Sequence, residues 1–403
     1  MKTMRHGLAL ILAAAMCLTS ALALADDAAE IEFFSRKSET VDLFNEIFAM
    51  YEEGNPGVKV TQTQVPDAAT VLYSRMASGD LPDILGVYPN ESDFRLQAAE
   101  GYYMDLTGSE YLKNINESFL SGIEVDGKSY SIPMTVNGWG IFYNKTKFDE
   151  LGLKAPATWD ELKALCEAIK AAGYIPMATS FKEGWTVGHL AENILLNLEG
   201  AEAVNALFAD SGVKMEDSAL FQKMVDWLDF FEDNSQPDSI STDYSTAVAL
   251  FSRGEALMLP QGIWALAVTE QAGMQDEIAM FPMPNDEGNG MIQYGIDLAF
   301  SIAADTQNPE QVQDFVAYLT STETAQYFAD REKSPSTING VKAVSPQIEG
   351  VTSLLYEEGR SEPWLHFNWA SGVDGEWQQE LASYFVLHDR AALNENLDEI
   401  FGK

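Results

Sequence analysis

Apolar and polar residues follow two alternating rhythms along this chain. Ile31-Glu-Phe-Phe34 is a short apolar run that predicts a strand, and within Thr40–Tyr51 the residues Phe44, Ile47, Phe48 and Tyr51 fall at i, i+3, i+4 and i+7, the spacing of one helix face. Gly54-Asn-Pro-Gly57 interrupts that helix, Val58–Val60 resumes as a strand, residues 68–78 are helical in pattern, and Pro82–Val87 reads as another buried strand. Strands that alternate with helices need crossover connections, which produce a parallel sheet covered on both faces. The alternation continues through Tyr130–Pro133 and Gly140–Tyr143, and Thr158-Trp-Asp-Glu161 is a capping box that opens a helix. On that helix Leu162, Leu165, Cys166 and Ile169 share a face, so Cys166 is expected to fill core space rather than act as a reactive thiol. Residues 189–275 are mostly helical in pattern, with stripes such as Phe221, Met224, Val225, Leu228 and Phe231 that belong to a core. Leu298–Ile302 predicts a strand, and Asn308-Pro-Glu-Gln311 opens a helix carrying Val312, Phe315, Val316 and Leu319. The C-terminal segment is again helical in pattern and carries Trp364, Trp369 and Trp377. There is no internal repeat or low-complexity linker, so the domains are joined by short ordered segments.

Composition narrows the classes. A hydrophobic fraction of 46% is far too high for a disordered acidic polymer, and 403 residues fit two or three domains at roughly 100–200 residues each. Sixty-two acidic residues against 24 Lys plus Arg give a net charge of −38, which repels phosphate and anionic lipid and leaves no footprint for nucleic acid. The histidines His6, His189, His366 and His388 and the cysteines Cys17 and Cys166 have no zinc-ligand spacing, and no metal or cofactor is expected.

The amino terminus predicts export. Lys2 and Arg5 form a basic region, Leu8–Ala15 is apolar, and Ala23-Leu24-Ala25 is a small-x-small cleavage site before Asp26. Residues 1–25 therefore read as a signal peptide. The mature chain is expected outside the cytoplasm, in a periplasm or at a cell surface, with no later run of about 18 apolar residues to span a membrane. Lipid attachment at Cys17 is disfavoured because Met16 stands where a lipoprotein signal carries a small residue.

Templates for catalysis fail: the chain has no Gly-x-Ser-x-Gly elbow, His-Glu-x-x-His, Walker loop, or Gly-x-Gly-x-x-Gly after the early strand. What stands out is aromatic residues beside glycine and polar groups in segments that read as loops. These are Tyr88-Pro-Asn90, Asn137-Gly-Trp139, Gly184-Trp185-Thr186, Gly262-Ile-Trp264, Tyr294-Gly-Ile-Asp297 and Phe367-Asn-Trp369. A tryptophan on a tight loop fills a core poorly, whereas its flat apolar face suits the C–H face of a pyranose, with polar neighbours for the hydroxyls. The plainer reading is that each ring packs a domain edge.

Five blocks in order resemble the extracellular solute-binding proteins of carbohydrate ABC importers, family 1, the group that includes maltose-binding protein. They are Met76-Ala-Ser-Gly-Asp-Leu-Pro-Asp83, Ile141-Phe-Tyr-Asn-Lys145, Leu151–Leu162 with Ala157-Thr-Trp-Asp-Glu161, Phe251-Ser-Arg-Gly-Glu-Ala-Leu-Met258 running to Gly262-Ile-Trp264, and Asn308-Pro-Glu with Ser321-Thr-Glu323. The resemblance implies an α/β, two-lobed periplasmic-binding-protein-like fold. Each lobe is a mostly parallel sheet flanked by helices; residues 26–134 with 297–345 form one lobe and 135–296 with 346–403 the other, joined by a hinge. It also implies a mono- or oligosaccharide enclosed between the lobes, a membrane permease as partner and a monomeric receptor that is not an enzyme. By the same resemblance, Trp264 matches a stacking tryptophan, Trp185 an aromatic on the far lobe and Trp369 a third stacking position. Arg36, Lys37 and Glu39 follow the first strand as polar sugar contacts, and Tyr88, Asn90 and Glu91 follow the third. Asn137 lies just past the first crossing between lobes, with Trp139 beside it, and Tyr294 and Asp297 sit at the return crossing. Val136-Asn-Gly-Trp139 departs from the pattern of a maltodextrin binder, which leaves the sugar open. Two competing classes are a receptor for polyamines or other cationic solutes, which the acidic charge suits, and a secreted glycoside hydrolase.

Overall fold

The computed structural model describes residues 28–403 apart from 67, 121, 210–211, 343–344 and 358; the expected leader, its cleavage site at Ala25 and Cys17 lie outside the described residues. The chain divides into two compact units, both discontinuous in sequence: one reaches Gly86 and includes Ile302–Leu319, the other comprises Val87–Ser301 and Thr320–Lys403. Among the described residues no helix is long and apolar enough to cross a membrane.

In the first unit β1 (Ala29–Phe34), α1 (Val41–Gly54), β2 (Val58–Thr63), α2 (Ala68–Ser78) and β3 (Ile84–Val87) follow the predicted order. β1 pairs in parallel with both β2 and β3, as the crossover helices require. The α1 stripe is buried at Phe44, Ile47, Phe48 and Tyr51; the rings of Phe44 and Phe48 meet Phe33, and Phe48 also meets Phe315 of the helix Pro309–Leu319. The polar edge of the sheet is tied by Arg75, whose guanidinium donates two hydrogen bonds of 2.7 Å to the Glu32 carboxylate.

The second unit opens with α3 (Ser92–Glu100), and its sheet is built around β4 (Ile132–Asn144). Here parallel pairing gives way to a mixed sheet. β4 runs antiparallel to β6 (Ala256–Gly262), β7 (Ile278–Phe281) and β8 (Ile292–Ile302), while β5 (Ile175–Met177) with β6 and β9 (Ser361–Pro363) with β8 are the parallel pairs. Two segments expected as loops are strand: Asn137-Gly-Trp139 lies inside β4 and Tyr294–Asp297 inside β8, paired Asn137 to Gly295 and Gly138 to Tyr294. The glycines that suggested loops serve close approach instead. A Cβ on Gly295 would lie 2.6 Å from the Trp364 ring and 2.9 Å from Phe367.

Helices cover this sheet. α4 (Trp159–Ala171) starts at the predicted capping box, in which Thr158 Oγ1 accepts from Glu161 N–H while the Glu161 carboxylate accepts from Thr158 N–H. Its Leu162, Cys166 and Ile169 are fully buried, so Cys166 is the core filler its spacing indicated. α5 (Gly184–Phe208) packs against α6 (Ala219–Asp233) and α8 (Val373–Leu387), with α7 (Ala265–Gln271) following β6 and α9 (Arg390–Ile400) closing the chain. The approach of α8 depends on missing side chains: a Cβ on Gly184 would lie 2.7 Å from the Gln378 carbonyl, and one on Gly188 2.9 Å from Gln378 Cγ.

Candidate functional site

α5 projects Trp185, His189 and Glu192 from one face, at i, i+4 and i+7. Trp264 stands at the turn between β6 and α7, its ring lying directly on Gly262, and Trp364 follows β9. These elements bring four rings together in the second unit: Trp185 is 6.2 Å from Trp264, Trp264 is 6.4 Å from Trp364, and His189 is 5.7 Å from Trp264 and 4.4 Å from Trp364. Trp185 and His189 are partly exposed, and Trp264 retains 9% exposure.

Two buried polar atoms of this cluster, and two on nearby strands β4 and β8, have no protein partner. Trp264 Nε1, His189 Nδ1 and, on the strands, Gln293 Oε1 and Asn137 Nδ2 are all unpaired. Buried donors and acceptors are ordinarily bonded, so Trp264 Nε1 and His189 Nδ1 are open to a polar ligand or ordered water. Flat apolar rings edged by unpaired donors and acceptors match a ligand with C–H faces and hydroxyls.

An ion pair lies behind the rings. Glu192 is 1% exposed; its Oε2 accepts from the backbone N–H of Leu365 at 3.1 Å and of His366 at 3.3 Å, and its Oε1 accepts from His366 Nδ1 at 2.9 Å. Burial opposes a charge on His366, but the Glu192 carboxylate, with Asp374 and Glu91 beyond it, outweighs burial and lifts the imidazole to about 9. Burial would raise Glu192, yet the charge and hydrogen bonds of His366 hold it below the usual carboxylate range. His189 has no such partner, and burial pushes it down to about 4, so it is neutral. Glu192, His366 and Asp374 offer ligating atoms within 4.8 Å of one another.

A cavity of about 750 Å³ opens in the same unit, lined by Asn90, Arg95, Tyr294, Ile296, Phe367 and Asn368 among others. Asn90 Oδ1 accepts from the N–H of Ile296 in β8, and Arg95 of α3 donates to the carbonyls of Asn90 and Phe367. Ser92 donates to the carbonyl of Trp369 at 2.6 Å.

Of the residues singled out in the sequence, Trp185 and Trp264 meet in the ring cluster, Asn90 and Tyr294 meet at the cavity, and Tyr88, Glu91 and Asp297 are partly buried in the same unit. Asn137 is buried, with Oδ1 accepting from Ser334. Trp139 is corrected as a ring face for a ligand, and Trp369 lies outside the four-ring cluster. Trp139 is 1% exposed within the hydrophobic core, and Trp369 is 7% exposed against Phe208, Trp377 and Phe401. Arg36, Lys37 and Glu39 lie in the first unit, where Lys37 is buried and its ammonium stands 3.8 Å from Glu39.

The pattern of the bacterial extracellular solute-binding protein family matches residues 37–326. The chain belongs to that family. The Multiple sugar-binding protein of Streptococcus mutans serotype c is 34% identical over 402 residues, covering 98% of this chain and 95% of that one. Among solved structures, RafE in complex with raffinose superposes with a TM-score of 0.86 and the apo form of RafE from Streptococcus pneumoniae with 0.75. Both are 30% identical and cover 93% of this chain and 98% of the RafE chain. The two-lobed α/β fold of the solute-binding proteins is therefore the fold of this chain, and its relatives are binding proteins. Sequence reasoning had missed His189, Trp364 and the Glu192–His366 pair in this solute-binding protein. The signal was present on α5, where a tryptophan, a histidine and a glutamate share a face at i, i+4 and i+7, but helical spacing alone reads as core.

Proposed function

We propose that this solute-binding protein is the extracellular sugar receptor of an ABC importer, and that Trp185, Trp264, Trp364 and His189 form its sugar-stacking surface. The observation that carries this reading is the meeting of those four rings with unpaired buried polar atoms. Such an arrangement supplies both kinds of contact that a neutral saccharide needs. RafE is described with raffinose and the Streptococcus relative as a binder of multiple sugars, which supports an oligosaccharide of that kind as ligand. Asn90, Glu91, Tyr88, Tyr294, Asp297 and Asn137, with Arg36, Lys37 and Glu39 of the first unit, are the proposed hydroxyl partners. The proposed lobes are 26–134 with 297–345 and 135–296 with 346–403. The protein then hands its sugar, as a monomer released from its signal peptide near Ala25, to a membrane permease.

The test is a panel of raffinose, stachyose, maltose, chito-oligosaccharides and spermidine, read by thermal shift and by product analysis. A ligand at a hundred times its dissociation constant stabilises the folded state by about 2.7 kcal/mol, which is measurable. Stabilisation by one sugar class without cleavage is the expected result. Stabilisation by spermidine alone identifies a cation receptor, and cleavage products identify an enzyme; either outcome overturns the reading.

A further inference from the structure

We propose that Glu192, standing behind the ring surface, is a positioning residue that sets sugar affinity by fixing the segment Trp364–Trp369 as a rigid arm. This inference rests on the sugar-receptor reading. The arm carries Trp364 into the ring cluster and Phe367 to the cavity wall, and it contains only a short helical turn, Leu365–Asn368, whose first N–H groups have no partner within the turn. Glu192 takes both of those N–H groups on one oxygen and the His366 ring on the other. From the opposite side Ser92 and Arg95 of α3 donate to the carbonyls of Trp369 and Phe367. The arm is thus bonded at four successive or near-successive residues, and only the Glu192 side carries charge that depends on a proton.

His366 transmits the hold to the rings. Its imidazole lies 5.9 Å from Trp364 at an interplanar angle of 25°, 4.8 Å from Phe367 and 5.9 Å from His189. The titratable groups facing it are Glu192 and His189 from α5, Asp374 from α8 and Glu91 after β3. His189 is neutral near physiological pH, so the carboxylates dominate and keep His366 charged. Substituting Glu192→Gln keeps shape and one acceptor for the backbone N–H groups but removes the counter-charge, so His366 gives up its proton at a lower pH and the ring loses its strongest bond.

Full-length wild type, Glu192→Gln and His366→Gln are titrated with raffinose by calorimetry, or with whichever sugar of the panel binds the wild type, from pH 6 to 10, with near-ultraviolet circular dichroism to report the tryptophan environment. Expected are a wild-type affinity that falls as pH rises through about 9, an affinity at least tenfold weaker for Glu192→Gln at pH 7, a pH midpoint for that variant displaced downward, and loss of the pH step in His366→Gln. A purely structural Glu192 would lower the melting temperature of the variant without moving the midpoint of the affinity profile. Unchanged affinity and midpoint in Glu192→Gln overturn the inference while leaving the sugar reading intact. If Glu192→Gln does not fold, a wild-type affinity flat from pH 6 to 10 overturns it equally. Wild-type affinity that rises with added zinc and falls with a chelator also overturns it, because a metal rather than a proton would then join Glu192, His366 and Asp374. Failure of the wild type to bind any sugar removes the sugar reading, and this inference with it.

Discussion

The seat of the Trp264 ring gives a sharp test, because one methyl group can displace the ring without deleting it. A Cβ added at Gly262 would lie 2.1, 2.2 and 2.4 Å from three atoms of the Trp264 ring, and no backbone atom is among its three nearest neighbours. Carbon atoms in contact settle about 3.5–4.0 Å apart, so the ring must withdraw by roughly 1.5 Å. Gly262 is in β6 opposite Trp139 and does not have a left-handed backbone, so alanine suits the main chain and the closest clash is with the indole. The ring is hemmed by Trp185, Trp364 and His189, and overpacking such a site costs about 1–3 kcal/mol of stability. If the ring, on its side away from Gly262, stacks on a sugar, Gly262→Ala weakens binding by about 1–2 kcal/mol, roughly five- to thirtyfold in Kd, as measured by calorimetry with the best sugar of the panel. On a Trp264→Ala background the same substitution should cost almost nothing in either binding or stability, because its clash partner is gone. A lowered melting temperature with unchanged Kd in Gly262→Ala would refute the reasoning, since the ring would then serve only the core.

Stability should peak near pH 6.5. The stabilisation from His366, lifted from 6.5 to about 9, is complete below 6.5 and is lost as pH rises through 9; the penalty from His189, lowered to about 4, grows as pH falls from 6.5 towards 4. Glu192, held below its ordinary 4.5, adds stability above that value which is lost on further acidification. A melting temperature level from pH 4 to 9 contradicts this. Cys166, fully buried with its thiol pushed up by burial to about 12, should resist a thiol reagent at pH 8 in the native protein and react once guanidinium unfolds it, as followed by mass spectrometry of its peptide. Native labelling at the unfolded rate would show that α4 opens.

Features whose cause is local were legible along the chain. The face of α1, the Thr158–Glu161 capping box and the burial of Cys166 depend on neighbours within two turns, so spacing alone determined them, and the order of strands and helices in the first unit followed. The same short-range logic marked Trp185 and Trp264 as rings beside glycine. It could not say that Asn137–Trp139 and Tyr294–Asp297 are strand, because Gly295 answers to Trp364 and Phe367, which reach it only through the fold. Nor could it separate Trp264, which meets Trp185, His189 and Trp364, from Trp139, which is 1% exposed in the core, since burial is decided by what packs above a side chain. The Glu192–His366 pair spans 174 positions. Periodicity carries information over one helical turn or two, whereas a buried charge finds its partner only when distant segments have been brought into contact.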